Sequence, residues 1–252
     1  MLQMLKRWIG GSKSAGTDAR AMLAWARSRG HRVKRVPVED GVVVEGAIHG
    51  TPWRLEWGAP QRAYLLDREL RLRMDLGLAP NLQMLLISRG LAEELEQAAY
   101  ALFTQDMQTR IDSGMPEEMR WLAMFAKAQL PGLKAVRSRF TAVTNDDASL
   151  ATWLSPEVVA QLDTAGRTWL GNDDPIILMA LRGRLYLRME SLSPDALVLD
   201  GVLALFKAAA RSAVSVSEGV VGQQQWPTTA STAWQSQLPS GFPLDPPENQ
   251  GR

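Results

Sequence analysis

The chain has 252 residues, of which 46% are hydrophobic and 22% charged, and its formal net charge is +1. These proportions are those of a globular protein with a real core. A nearly neutral chain has no global attraction for nucleic acid or anionic lipid, so any such attraction has to come from a local patch. The absence of cysteine excludes disulfides, thiolate nucleophiles and sulfur-ligated zinc. It fits a reducing compartment, and a cytoplasmic protein is expected.

In the opening "MLQMLKRWIGG", Lys6 and Arg7 interrupt the apolar residues, so neither a secretory leader nor a spanning helix is expected there. No later stretch reaches the roughly 20 apolar residues that spanning requires. Leu2, Leu5, Trp8 and Ile9 can share one face beside the two cations. Such a short amphipathic segment suits docking on a protein, or weak peripheral contact with an anionic membrane. "GGSKSAG" (Gly10 to Gly16) ends in Lys-Ser like a phosphate loop, but it lacks the glycine spacing and the preceding strand, and reads as a linker. Residues 1–17 are therefore expected to be a flexible or amphipathic N-terminal segment.

Residues 18–112 read as an α+β unit. "DARAMLAWARSRG" places Ala21, Met22, Trp25 and Ala26 at helical spacing, with Gly30 as a stop. "HRVKRVPV" is a strand signal, and "GVVVEGAI" and "PWRLEW" flank the turn "HGT" as a hairpin, with Trp53, Leu55 and Trp57 on one face and Arg54 and Glu56 on the other. In "ELRLRMDL", Leu70, Leu72, Met74 and Leu76 share a face, opposite Glu69, Arg71, Arg73 and Asp75. "LQMLLIS" is a further strand. "GLAEELEQAAYALFTQDMQTRI" is a helix with Leu91, Leu95, Ala98, Ala99 and Leu102 as its stripe.

Residues 113–216 read as a second α+β unit. "SGMPEEMRWLAMFAKAQLPG" gathers Met115, Met119, Trp121, Met124 and Phe125, residues that suit either a core or an adaptable surface. "SRFTAVTN" is a strand, and "DDASLATWL" and "SPEVVAQLDTAG" are short helices, the second with Ser155 as cap and Pro156 in its first turn. "IILMALRGRLYLRME" is a hairpin turning near Arg182 and Gly183. "SPDALVLDGVLALFKAAARSAV" is an apolar final helix, expected to be capped by Ser193 with Pro194 in its first turn. Leu70, Leu72, Arg73 and Met74 recur as Leu185, Leu187, Arg188 and Met189, which suggests an internal duplication into two similar lobes, as readily as a chance likeness between leucine-rich strands. Residues 217–252, rich in Pro, Ser, Thr, Gln and Gly, have no sustained apolar period and are expected to form a disordered tail.

Four groups of residues bear on function. Arg54, Arg71, Arg73, Arg184 and Arg188, with Arg32 and Lys34, fall on one solvent face that could grip phosphates. Yet Glu56, Glu69, Asp75 and Glu190 interleave with them, and the tryptophans lie on the opposite side, so cross-strand ion pairs are the plainer expectation. Asn145-Asp146-Asp147 and Asn172-Asp173-Asp174 offer oxygens for a hard cation but lack calcium-loop spacing; caps and turns explain them, and no metal or other cofactor is expected. His31 and His49 are the two histidines. Neither has a partner by spacing, and Glu39, Asp40, Glu117 and Glu118 read as loop or helix-start acids. Trp226, Trp234 and Phe242 in the tail suit a docking motif, because aromatics gain nothing until something buries them. The expected function is that of a non-catalytic accessory or adaptor protein working through protein contacts, with Leu5, Trp8, Ile9 and the tail aromatics as contact points. The alternatives are a nucleic-acid-binding module on the arginine face and a divalent-metal-dependent enzyme.

Overall fold

The strands come in two hydrophobic patterns, and the pattern decides what each face meets. The structure is a computed structural model that describes residues 17–36, 41–105, 115–130, 132 and 134–223. Its strands are β1 (Arg32–Val36), β2 (Gly41–Ile48), β3 (Thr51–Gly58), β4 (Glu69–Asp75), β5 (Met84–Ser88), β6 (Phe140–Thr144), β7 (Ile176–Leu181) and β8 (Arg184–Glu190). In β3, β4 and β8 buried apolar residues alternate with charged ones, whereas β5, β6 and β7 are buried at every position. All eight join one antiparallel sheet of order β1-β2-β3-β4-β8-β7-β5-β6.

The helices are α1 (residues 17–28), α2 (Arg89–Gln105), α3 (Glu117–Met124), α4 (Lys134–Arg139), α5 (Asp147–Trp153), α6 (Pro156–Thr168) and α7 (Ala196–Gln223). One sheet face is lined by Val42, Val44, Trp53, Leu55, Leu72 and Leu187, and packs against Met22 and Trp25 of α1, Trp153 of α5, Leu162 of α6 and Phe206 of α7. On the other face, α2 and α3 place Leu91, Leu95, Trp121 and Leu122 against Leu85, Ile87, Val143, Ile177 and Met179. The second cover thus spans β5, β6 and β7, which is why those strands read as unbroken apolar runs. The chain is α+β, and among the described residues no helix is long and apolar enough to cross a membrane.

Local chemistry sets the turns and caps. Both two-residue hairpin loops carry positive φ at both positions, 50° and 84° at His49 and Gly50, 50° and 82° at Arg182 and Gly183. This is the type I′ geometry whose twist matches the flanking strands. Ser155 accepts a hydrogen bond from Val158 N and Pro156 occupies the first turn of α6, as expected. The cap of α7 is different. Asp195 accepts from Val198 N at 2.9 Å, while Ser193 donates to Asp18 Oδ1 at 2.7 Å and so ties α1 to the start of α7. A charged carboxylate beside the first turn is a stronger acceptor for its free N–H groups than a hydroxyl two residues earlier. Helix α7 also runs on through Gln223, past the expected start of the tail at residue 217. Ser217 is buried, and its hydroxyl accepts from Ala79 N at 2.8 Å, so tertiary contact carries the helix past the point where its apolar period fades.

The expected halves interleave in the sheet: β5, from residues 18–112, lies between β7 and β6. The two similar strands are neighbours, with Leu70 opposite Met189, Leu72 opposite Leu187 and Met74 opposite Leu185. Their continuations differ, since β4 leads into another strand and β8 into α7. Leu5, Trp8 and Ile9, and likewise Trp226, Trp234 and Phe242, lie outside the described residues.

Candidate functional site

Among the described residues α2 and α3 cover one face of β5, β6 and β7 and reach β8 only at Tyr186, so no described helix packs on that face of β1, β2, β3 and β4. Antiparallel register aligns their side chains into cross-strand rows. One row runs Lys34, Val43, Glu56, Arg71, Arg188 and then Ile177; the next runs Arg32, Glu45, Arg54, Arg73, Tyr186 and then Met179. Each row changes from charged to apolar where it passes beneath α2 and α3.

The five arginines expected on one face are on it, and they divide into two sets. Arg71 and Arg188 stand directly opposite each other, a like-charge pairing that would be unfavourable alone. Glu69 resolves it, accepting from Arg71 Nη1 at 3.2 Å and from Arg188 Nη1. Arg71 also donates to Glu56 Oε2 at 2.9 Å and to the Ala59 carbonyl at 3.0 Å. Glu69 was expected on the hydrated side, yet it is fully buried. The segment between β3 and β4 folds over it, with Gln61 N donating to Glu69 Oε2 at 2.7 Å.

Four more residues fasten the same segment. Arg62 Nε donates to Glu118 Oε1 at 2.6 Å, and the Tyr64 hydroxyl donates to the same oxygen. Leu66 N donates to Glu190 Oε2 at 2.7 Å, and the Arg68 guanidinium lies 4.3 Å from the Trp57 ring centroid. Burial, then the neighbouring Glu118 carboxylate, push the Tyr64 phenol well above its usual range. Burial alone would raise Glu56, but hydrogen bonds from Arg71 and Arg54 and their charges outweigh it and hold that carboxylate below its ordinary value.

Arg54, Arg73 and Arg184 form the second set and sit at the other end of the strands. With Arg32 they border a hollow of about 780 Å³. Arg54 is shared between Glu56 at 2.5 Å and Glu45 at 3.3 Å, and Arg184 Nε meets Asp75 at 3.1 Å. Arg32 and Arg73 are exposed and have no ion-pair partner among the described residues. Register is the reason: Arg73 stands opposite Arg54 on one side and Tyr186 on the other, so no carboxylate stands directly across from it, and Asp75, next on its own face, pairs with Arg184.

The remaining candidates serve local structure. Asp146 caps α5 and binds the Ser149 hydroxyl; Asn145 bridges Gln83 N and the Asn81 carbonyl; Asn172 accepts from Arg139; Asp174 accepts from Gly171 N. No cluster of three or more acidic or histidine side chains suited to a metal exists among the described residues. His31 packs against Trp25 and Trp53, with ring centroids 5.8 and 4.9 Å away. Glu117 pairs with Arg120 and Arg182, while Glu39 and Asp40 lie outside the described residues. Glu69, expected as a surface ion-pair acid, and Glu118, expected as a helix-start acid, are both fully buried, which periodicity did not signal. The signal for Glu69 was an acid at the head of an alternating strand, directly preceding an arginine-bearing face. For Glu118 there was only its place in the first turn of a helix. Compared with protein-family models, curated proteins and solved structures, the chain matches none.

Proposed function

We propose that this is a cytosolic, non-catalytic accessory protein that docks an acidic protein surface on the uncovered half of its sheet. The observation that carries this reading is the asymmetry of cover: among the described residues helices pack along one whole face, but on the other they cover β5, β6 and β7 and touch β8 at Tyr186. What is left open is a rigid, charge-patterned surface. Its inner arginines are held by carboxylates, and its outer strand β1 presents Arg32, Lys34 and Arg35 to solvent. Arginines fixed in advance lose little rotamer freedom on binding, and charge complementarity favours an acidic partner over a neutral or basic one. The N-terminal and tail aromatics remain additional contact candidates of the same reading.

A phosphate backbone is the second reading of this face, and the Arg73 guanidinium, which has no ion-pair partner among the described residues, favours it. Against it, Arg71 and Arg188 are committed to Glu69 and Glu56, so the two most central cations of the row are already neutralised.

The test is capture by the intact chain, by a chain ending at Gln223 and by Arg32→Glu/Arg73→Glu, with each captured protein purified and rebound. A defined acidic partner lost from the charge-reversed chain alone supports docking on the sheet. Loss only from the shortened chain places the contact in the tail and overturns the sheet as the docking surface. Tight binding of oligonucleotides that weakens steeply between two salt concentrations would replace the reading with the nucleic-acid one.

A further inference from the structure

We propose that the hollow bordered by Arg32, Arg54, Arg73 and Arg184 is a binding site for a small phosphorylated molecule, one carrying a phosphomonoester on a compact organic body. This rests on the hollow itself and not on the docking of a protein, and it is tested without any partner.

Charge is the first argument. Four guanidiniums and two carboxylates, Glu45 and Asp75, border the space, leaving an excess of two positive charges. A phosphomonoester carries about −1.5 to −2 at pH 7, which matches that excess. Geometry is the second. Arg32 and Arg73 have no ion-pair partner among the described residues, so their planar forks are open to a bidentate oxyanion, while Arg184 is tied to Asp75 through Nε, and Arg54, tied through Nε to Glu56 and through Nη1 to Glu45, adds charge to the rim. Leaving Arg73 opposite Arg54 with no intervening acid costs stability through like-charge repulsion, and a bound dianion removes that cost.

Size is the third argument. At about 780 Å³ the hollow falls in the range of small-molecule clefts, roughly 300–1,000 Å³, and far exceeds what a bare phosphate fills. The rest of the lining is Gly30, Gly46, Ala47, Pro52, Trp53 and Met74; Ala47 and Pro52 are exposed beside Glu45 and Arg54, whereas Trp53 and Met74 are buried in the core on the other face of their strands. Gly46 sits beneath the hollow with its open side to the core: a Cβ there would lie 2.4 Å from the Trp53 ring, so the indole packs over bare backbone and holds the strand that carries Glu45 and Ala47. A ligand with a phosphate end and a compact organic body meets the guanidiniums with the one and exposed Ala47 and Pro52 with the other.

The experiment is a titration of the full chain with inorganic phosphate, phenyl phosphate and benzyl alcohol, read by calorimetry and by thermal shift. Phenyl phosphate is expected to bind about tenfold more tightly than phosphate, and benzyl alcohol not measurably. Arg73→Ala and Arg32→Ala are each expected to weaken phenyl phosphate by at least about tenfold. Both residues are exposed and have no ion-pair partner among the described residues, so neither change should disturb folding. Lys34→Ala, on the same face but outside the hollow, is expected to leave the affinity within about twofold. The proposal is overturned if phenyl phosphate up to about 10 mM neither binds nor shifts the melting point, or if Lys34→Ala weakens it as much as Arg73→Ala. Equal affinity for phosphate and phenyl phosphate would make the source inorganic phosphate and overturn the organic body. A single-stranded oligonucleotide that binds more tightly than phenyl phosphate, with the same dependence on Arg32 and Arg73, would give the hollow to a nucleic-acid backbone instead.

Discussion

Glu69 organises the inner half of the open face, so replacing it is the most direct test of how that face is built. The variant is Glu69→Leu, which preserves side-chain bulk and removes the charge. Glu69 is fully buried and takes hydrogen bonds from Arg71, Arg188 and Gln61 N. Arg71 keeps Glu56 at 2.9 Å after the change, so its loss is partial. Arg188, whose side chain is 14% exposed, has no other carboxylate in its ion pairs among the described residues and is left as a nearly buried, uncompensated cation. Removing one partner of a buried pair costs about 3–5 kcal/mol, and the survival of the Arg71–Glu56 pair places this case near the lower end. With a urea m-value of about 2–3 kcal/mol/M, the midpoint should fall by roughly 1–1.5 M. The companion Glu69→Leu/Arg188→Leu removes both charges and should recover most of the loss, because no cation is then stranded and the Gln61 N–H alone is left without its acceptor, Arg71 keeping Glu56. Equilibrium urea unfolding monitored by tryptophan fluorescence measures both. A single variant within about 0.3 M of the parent, or a double variant less stable than the single, would show that Glu69 does not hold Arg188.

Other parts of the fold give three further expected outcomes. Gly201→Ala in α7 puts a Cβ 2.1 Å from the Trp169 indole nitrogen and should cost about 1–3 kcal/mol by overpacking; Gly90→Ala in α2, where nothing lies within 4 Å, should be neutral or stabilising by up to about 1 kcal/mol, and thermal melts of the two variants check the contrast. Ser217→Ala leaves the buried Ala79 N–H without its acceptor and should lower stability by about 1–3 kcal/mol in urea titration. Burial, then Lys207 and Arg29, hold the His31 imidazole below its ordinary 6.5, so the unfolded chain takes up that proton first. The stabilisation is complete above about pH 6.5 and is lost as pH falls through the folded value; His31→Phe should flatten the fall in urea midpoint between about pH 7.5 and 5.5, and an unchanged slope would place the titration elsewhere.

Sequence alone settled what depends on neighbouring residues. Side chains alternate across a strand by geometry, so the inward Leu70, Leu72 and Met74 and the outward Arg71 and Arg73 were legible from spacing. The hairpin positions and the Ser155–Pro156 start of α6 were equally local. Only the tertiary structure decided which face of which strand is covered. Alternation fixes two sides, but it does not say that β8 lies beside β4, or that α2 and α3 cover β5, β6 and β7 and reach β8 only at Tyr186 among the described residues. It also hid Glu69, whose position in an alternating strand predicts solvent and whose burial comes from a separate segment folding over it. For the same reason Arg188 is neutralised while Arg73 is left open: partners in a sheet are chosen by register between distant strands, and nothing within one strand encodes it.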